Sequence, residues 1–143
     1  MNIAIVGATG NVGRKTLEVL EKKELKIDNL YLLASSKSVG VKIKFKDKEY
    51  KVDDLNNFDF SKAKIIFFAA GGKISEKFAE KASKNSLVID NSSFFRMDPD
   101  VPLIVPQVNP NDLNNMKKNI IANPNCSTAQ LVIALKPSHD LFV

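Results

Sequence analysis

Ile3-Ala4-Ile5-Val6-Gly7-Ala8-Thr9-Gly10-Asn11-Val12-Gly13 begins with an unbroken apolar run, stops at a glycine and repeats glycine at every third position. A short continuous apolar run of this kind reads as a strand buried on both faces, as in a parallel sheet. A helix is expected directly after it, from about Asn11 to Lys23, with Val12, Leu17, Val19 and Leu20 inward and Arg14, Lys15, Glu18 and Glu21 outside. Placed between strand and helix, G-x-x-G-x-x-G is a variant of the dinucleotide fingerprint. Glycine lets a pyrophosphate approach backbone N–H groups with no Cβ in the way, and the helix N-terminus adds partial positive charge. Gly7, Thr9, Gly10, Asn11, Val12 and Gly13 are therefore the expected phosphate cradle; a ligand-free strand–helix turn is the plain alternative.

Working outward, Leu30-Tyr31-Leu32-Leu33 predicts the next buried strand. From Val41 to Asp53 the pattern changes to strict alternation, with Val41, Ile43 and Phe45 inward and Lys42, Lys44 and Lys46 outward. Tyr50 and Val52 continue it beyond Asp47-Lys48, which predicts a hairpin with one wet face. Ile65–Phe68, a helix over about Ile74–Lys84 and Leu87–Ile89 form a further strand–helix–strand unit. The Pro- and Asn-rich stretch Asn91–Asn115 reads as mostly irregular, with a short strand around Leu103–Val105. A last strand, Ile120–Ala122, runs into Asn123-Pro124-Asn125-Cys126, and a helix begins near Ser127 and is expected to end at Pro137. Strands alternating with helices predict an α/β, doubly wound, Rossmann-like and mostly parallel sheet.

In such a sheet the end of the second strand reads the adenosine ribose. An NAD enzyme usually places an acid there; Ala34-Ser35-Ser36-Lys37-Ser38 has none. Hydroxyls and an ammonium suit a 2′-phosphate, so Ser35, Ser36, Lys37 and Ser38 favour NADP, although the same residues are ordinary loop composition. Gly71, followed by Gly72, either lets the backbone pass close to the cofactor or makes a plain turn.

The 143 residues are 44% apolar and 26% charged, with a net charge of +5, and suit one globular domain with a real core. The lysines are scattered, which argues for a solvated surface over nucleic-acid binding. No apolar stretch is long enough to span a bilayer and no signal peptide is visible. The single cysteine forbids an internal disulfide. A cytoplasmic protein with no metal, no nucleic-acid partner and no membrane partner is expected.

That cysteine, Cys126, stands where a buried strand ends and a helix begins, at the carboxyl edge where open α/β sheets bind ligands. A lone cysteine is by default a small buried hydrophobe. A helix N-terminus favours the thiolate, which is the nucleophilic form, and Ser127 and Thr128 offer capping hydroxyls. A reactive thiol beside a nicotinamide is what covalent oxidation or reduction at the aldehyde level requires.

The glycine loop, the segment Asp90-Asn91-Ser92-Ser93-Phe94-Phe95-Arg96-Met97-Asp98-Pro99-Asp100-Val101-Pro102 and the turn Asn123-Pro124-Asn125-Cys126-Ser127-Thr128 together resemble the aspartate-semialdehyde dehydrogenase family. The resemblance runs the length of the chain. It implies reduction of aspartyl phosphate to aspartate semialdehyde with NADPH, releasing phosphate, at the branch toward lysine, diaminopimelate, methionine and threonine. It makes Cys126 the nucleophile that carries the acyl group as a thioester, Arg96 the residue that holds the substrate phosphate and Asn125 its neighbour in the site. Guanidinium binds phosphate bidentately, which suits Arg96; without the resemblance, a surface ion pair with Asp98 or Asp100 is the simpler expectation.

The resemblance also implies a homo-oligomer, dimer or tetramer. It assigns residues 1–143 to the dinucleotide-binding domain, with the nucleophile-bearing turn at 120–136. The second domain, which in the family supplies catalytic histidine, glutamine and substrate-carboxylate arginine and the dimer contacts, is absent from this chain. His139 lies 13 residues beyond Cys126, about 20 Å along a helix, and cannot replace that histidine. Weak NADP binding and negligible turnover of the isolated chain are therefore expected. Two rivals share parts of the pattern: an N-acetylglutamyl-phosphate reductase, whose cysteine usually follows glycine rather than asparagine, and a non-enzymatic NAD(P)-binding sensor.

Overall fold

The computed structural model describes residues 1–142. Seven strands, β1 (Asn2–Val6), β2 (Asn29–Ala34), β3 (Lys42–Phe45), β4 (Lys48–Asp54), β5 (Ile65–Phe68), β6 (Leu87–Asp90) and β7 (Ile120–Ala122), form one sheet in the order β3-β4-β2-β1-β5-β6-β7. Every pairing is parallel except β3 with β4. Omitting that edge hairpin strand leaves the doubly wound order, which reverses at β1 between β2 and β5. Helices α1 (Asn11–Lys22) and α2 (Gly72–Ser83) cover opposite faces, and α3 (Cys126–Phe142) follows β7.

Period and burial explain the central strands. Ile3 through Val6 are all 1% exposed or less, because both faces of β1 are packed. Ala4, Val6, Ile66, Phe68 and Val88 share a core with Phe78 and Ala82 of α2. Ile3, Ile5, Leu30 and Leu32 share the other core with Leu17 and Leu20 of α1. Each fully buried Ile, Leu or Phe contributes about 1.5–3 kcal/mol relative to exposure.

The structure corrects several expectations. α1 packs through Gly13, Leu17 and Leu20, whereas Val12 and Val19 stay 51% and 45% exposed. They border a cavity of about 510 Å³ with Phe67, Ile89, Asn91 and Asn123. Val41 precedes β3 and is exposed, although its carbonyl still accepts from Val52 N–H across the hairpin at 2.9 Å. α2 begins at Gly72, before Ile74, since Gly71 at φ +87° turns the chain into it. Leu103–Val105 forms a single bridge to Ala122 rather than a strand. Pro110–Asn115, within the stretch expected to be irregular, is a 3-10 helix.

Pro137 does not end the last helix: α3 continues to Phe142. Proline there removes the bond to the Ile133 carbonyl, which lies on a helix with no buried residue and so stays open to solvent. Among the described residues no helix is long and apolar enough to cross a membrane.

Candidate active site

The glycine loop sits at the carboxyl end of β1, and each glycine has its own geometric reason. Gly7 has φ +86°, and both its N–H and that of Ala8 donate to the Leu33 carbonyl, at 2.8 and 3.1 Å. A Cβ on Gly7 would lie 2.9 Å from the Ala69 carbonyl group. A Cβ on Gly13 would lie 2.2 Å from the Gly7 carbonyl oxygen, so the first turn of α1 rests directly on the loop. Gly10 is exposed at the helix N-cap with no capping side chain. The first helical bond is from Arg14 N–H to the Gly10 carbonyl at 2.9 Å. Helix geometry therefore leaves the N–H groups of Asn11, Val12 and Gly13 without a helical partner. Arg14 braces the loop from outside, donating from Nε to the Thr9 carbonyl at 3.1 Å. A loop closed to Cβ atoms yet rich in open N–H groups fits a pyrophosphate.

Gly7, Thr9, Gly10 and Ser35 line one cavity of about 440 Å³ at the point where the strand order reverses. Leu55, Asn56, Ala69, Ile74 and Lys77 line it too, and none of them stood out in the sequence. Leu55 and Asn56 reach it because β4 runs parallel to β2 in register, with Ala34 opposite Asp54. No local pattern announces that pairing. Ser36, Lys37 and Ser38 form a short 3-10 turn just beyond Ser35. Ser36 Oγ donates to Asp54 Oδ2 at 2.8 Å. Gly71 is exposed, with open space where its Cβ would stand.

The second cluster lies at the ends of β6 and β7. Asp90 is fully buried and accepts from Ser75 Oγ (2.7 Å), Ser92 Oγ (2.7 Å) and Ser92 N–H (3.1 Å). Its carbonyl accepts from Asn123 N–H at 2.8 Å, and Asn123 Nδ2 donates to Asn91 Oδ1 at 2.7 Å. Arg96 lies across both strand ends, donating from Nε to the Asn123 carbonyl (3.1 Å) and from Nη2 to the Asn91 carbonyl (3.2 Å). The ion pair with Asp98 or Asp100, the alternative reading of Arg96, is not formed among the described residues. Asp98 and Asp100 pair instead with Lys118 and Lys117, at 3.1 and 2.7 Å.

Cys126 is the first residue of α3, unpaired and exposed. The helix cap is neither Ser127 nor Thr128. Asn125 Oδ1 accepts from Ser127 N–H at 2.8 Å, and the Asn125 carbonyl accepts from Ala129 N–H at 2.9 Å. The Asn125 amide nitrogen remains free to donate. Three strand spacings separate β1 from β7, about 14 Å. His139 stays about 20 Å from Cys126 along the now continuous helix.

Residues 2–116 match the family described as "Semialdehyde dehydrogenase, NAD binding domain". An aspartate-semialdehyde dehydrogenase of Aquifex aeolicus is 55% identical over 141 residues, covering 96% of this chain and 42% of the relative. Aspartate-semialdehyde dehydrogenase II of Vibrio cholerae, solved in complex with ASA, is 49% identical with a TM-score of 0.94, over 97% of this chain and 46% of that one. The Candida albicans enzyme, solved with NADP, is 27% identical with a TM-score of 0.82, over 99% and 48%. The chain thus spans less than half the length of these relatives. By the match across most of its length, it belongs to the semialdehyde dehydrogenase family and carries that family's NAD-binding domain.

Proposed function

We propose that this chain is the cofactor-binding and nucleophile-bearing part of an NADPH-dependent aspartate-semialdehyde dehydrogenase. The observation that carries the reading is the exposed Cys126 at a capped helix start, in a turn that Arg96 bonds at the Asn123 carbonyl, on the same sheet edge as a glycine cradle. Gly7, Thr9, Gly10, Asn11, Val12 and Gly13 hold the pyrophosphate, and Gly71 opens the backbone toward the nicotinamide side. Ser35, Ser36, Lys37 and Ser38 form the ribose end of the site, where Ser35, Lys37 and Ser38 offer hydroxyls and an ammonium to a 2′-phosphate.

The Cys126 sulfur attacks the acyl carbon of aspartyl phosphate; the carbon–oxygen bond to phosphorus breaks, and inorganic phosphate departs with the electron pair, leaving a thioester. Arg96 has N–H groups beyond the two committed to Asn91 and Asn123, and these bind the phosphate. The Asn125 amide donates to the same substrate. When bound, NADPH supplies the hydride that converts the thioester carbonyl to the aldehyde and frees the sulfur. The step belongs to amino-acid biosynthesis, toward lysine, diaminopimelate, methionine and threonine, in the cytoplasm. The intact enzyme works as a dimer or tetramer, and the isolated chain binds NADP but turns over negligibly.

The test exchanges this chain for the matching segment of the Aquifex aeolicus relative. The chimera should consume NADPH with aspartyl phosphate, and Cys126→Ser should abolish turnover. A folded chimera that binds NADPH and leaves aspartyl phosphate untouched overturns the proposal, as does full activity from the isolated chain.

A further inference from the structure

The acid that a ribose 2′-hydroxyl would need is missing from the end of β2, but the tertiary structure brings one from the next strand. Asp54 ends β4, directly opposite Ala34 of β2 in the parallel register. Its Oδ1 accepts from the backbone N–H and the side-chain amide of Asn56, at 2.9 and 2.8 Å, and its Oδ2 accepts from Ser36 Oγ at 2.8 Å. Asn56 lines the cavity at the strand-order reversal, and Ser35, the neighbour of Ser36, lines it as well.

A carboxylate has no proton to give, so the Ser36 hydroxyl must donate to Asp54. Its oxygen, exposed on the turn just beyond Ser35, then offers a ligand lone pairs only. Such an oxygen accepts from a ribose 2′-hydroxyl and has no proton for a 2′-phosphate. The negative charge of Asp54 acts in the same direction, opposing a phosphate dianion and leaving Lys37 as the cation on that turn.

We propose that Asp54, acting through Ser36, sets the nucleotide choice of this chain by weakening the preference for NADP until NAD is accepted too. Asp54 is a specificity-determining residue that works by orienting Ser36. The inference rests on the dinucleotide-binding reading above.

Fluorescence titration of the 143-residue chain with NADPH and NADH tests it. Asp54→Asn keeps the size of the side chain and an oxygen for the Asn56 N–H while removing the charge. It should bind NADPH about tenfold more tightly and alter NADH by less than about twofold. Ser36→Ala should weaken NADH by about threefold to tenfold and leave NADPH unchanged, because Ser36 lends the phosphate no proton. An unchanged NADPH-to-NADH ratio in Asp54→Asn, or loss of NADPH affinity in Ser36→Ala, overturns the role of these two residues while dinucleotide binding stands. Absence of binding for both nucleotides in the unsubstituted chain overturns the dinucleotide reading and this inference together.

Discussion

The Arg96 Nε donates to the main-chain carbonyl of Asn123 at 3.1 Å, bridging 27 positions of sequence to reach the turn that carries Cys126. With the second bond to Asn91, the guanidinium joins the ends of two neighbouring strands. A group that organises the turn can therefore also be the group that binds phosphate there. Lysine cannot reproduce the fork. Arg96→Lys should cost about 1–2 kcal/mol, seen as a melting temperature about 3–7 °C lower by calorimetry, and should weaken phosphate binding. An unchanged melting temperature would show the bridge to be immaterial.

The glycines should differ sharply when substituted. Gly13→Ala drives a Cβ to within 2.2 Å of the Gly7 carbonyl oxygen, so loop or helix must shift. A loss of about 2 kcal/mol or more is expected, together with loss of dinucleotide binding. Gly71→Ala meets no atom within 4 Å and costs only the strain of φ +87°, about 1 kcal/mol. Urea unfolding of the two variants checks the order; equal losses contradict it.

Asp90 holds three donors in a fully buried position. Asp90→Ala removes the shared acceptor of the Ser75 and Ser92 hydroxyls in the interior, leaving Ser75 only the long 3.5 Å contact to the Gly71 carbonyl, and should cost about 2–4 kcal/mol. Hydrogen exchange should speed at Ser92 and Phe94, whose N–H bonds depend on that cluster. Protection unchanged at both amides would refute it.

Acid should destabilise the chain through its capped carboxylates. The backbone N–H of Asp100, then Lys118, hold the Asp98 carboxyl below its ordinary value of 3.8. The Asn56 backbone N–H and the Ser36 hydroxyl do the same for Asp54. Depressed acids bind protons more readily unfolded than folded. Their stabilisation is therefore present above the unfolded value and is lost as pH falls below about 4 through the folded one. Unfolding measured from pH 6 to pH 2 should show that loss, and Asp98→Asn should flatten it; an identical slope in the variant would exclude Asp98.

His139→Ala should leave the iodoacetamide alkylation rate of Cys126 unchanged, since the two lie about 20 Å apart on one helix. Slower alkylation would show a contact that the helix forbids.

The apolar run Ile3–Val6, the glycine spacing after it and the strand–helix alternation determined the sheet type and the tight glycine loop, because periodicity and the need for positive φ are local properties. The position of Cys126 between β7 and α3 was legible for the same reason. What only the tertiary structure decided are relations between strands distant in sequence. Arg96 bonds to the carbonyls of Asn91 and Asn123 rather than pairing with Asp98 or Asp100, and Asn125 rather than a hydroxyl caps α3. Asp54 reaches Ser36 because β4 docks parallel to β2, and Val12 and Val19 stay open because α1 packs through Gly13, Leu17 and Leu20. Helix and strand patterns state which face of an element is apolar; register and docking, which choose the partners of a polar group, depend on contacts summed over the whole fold.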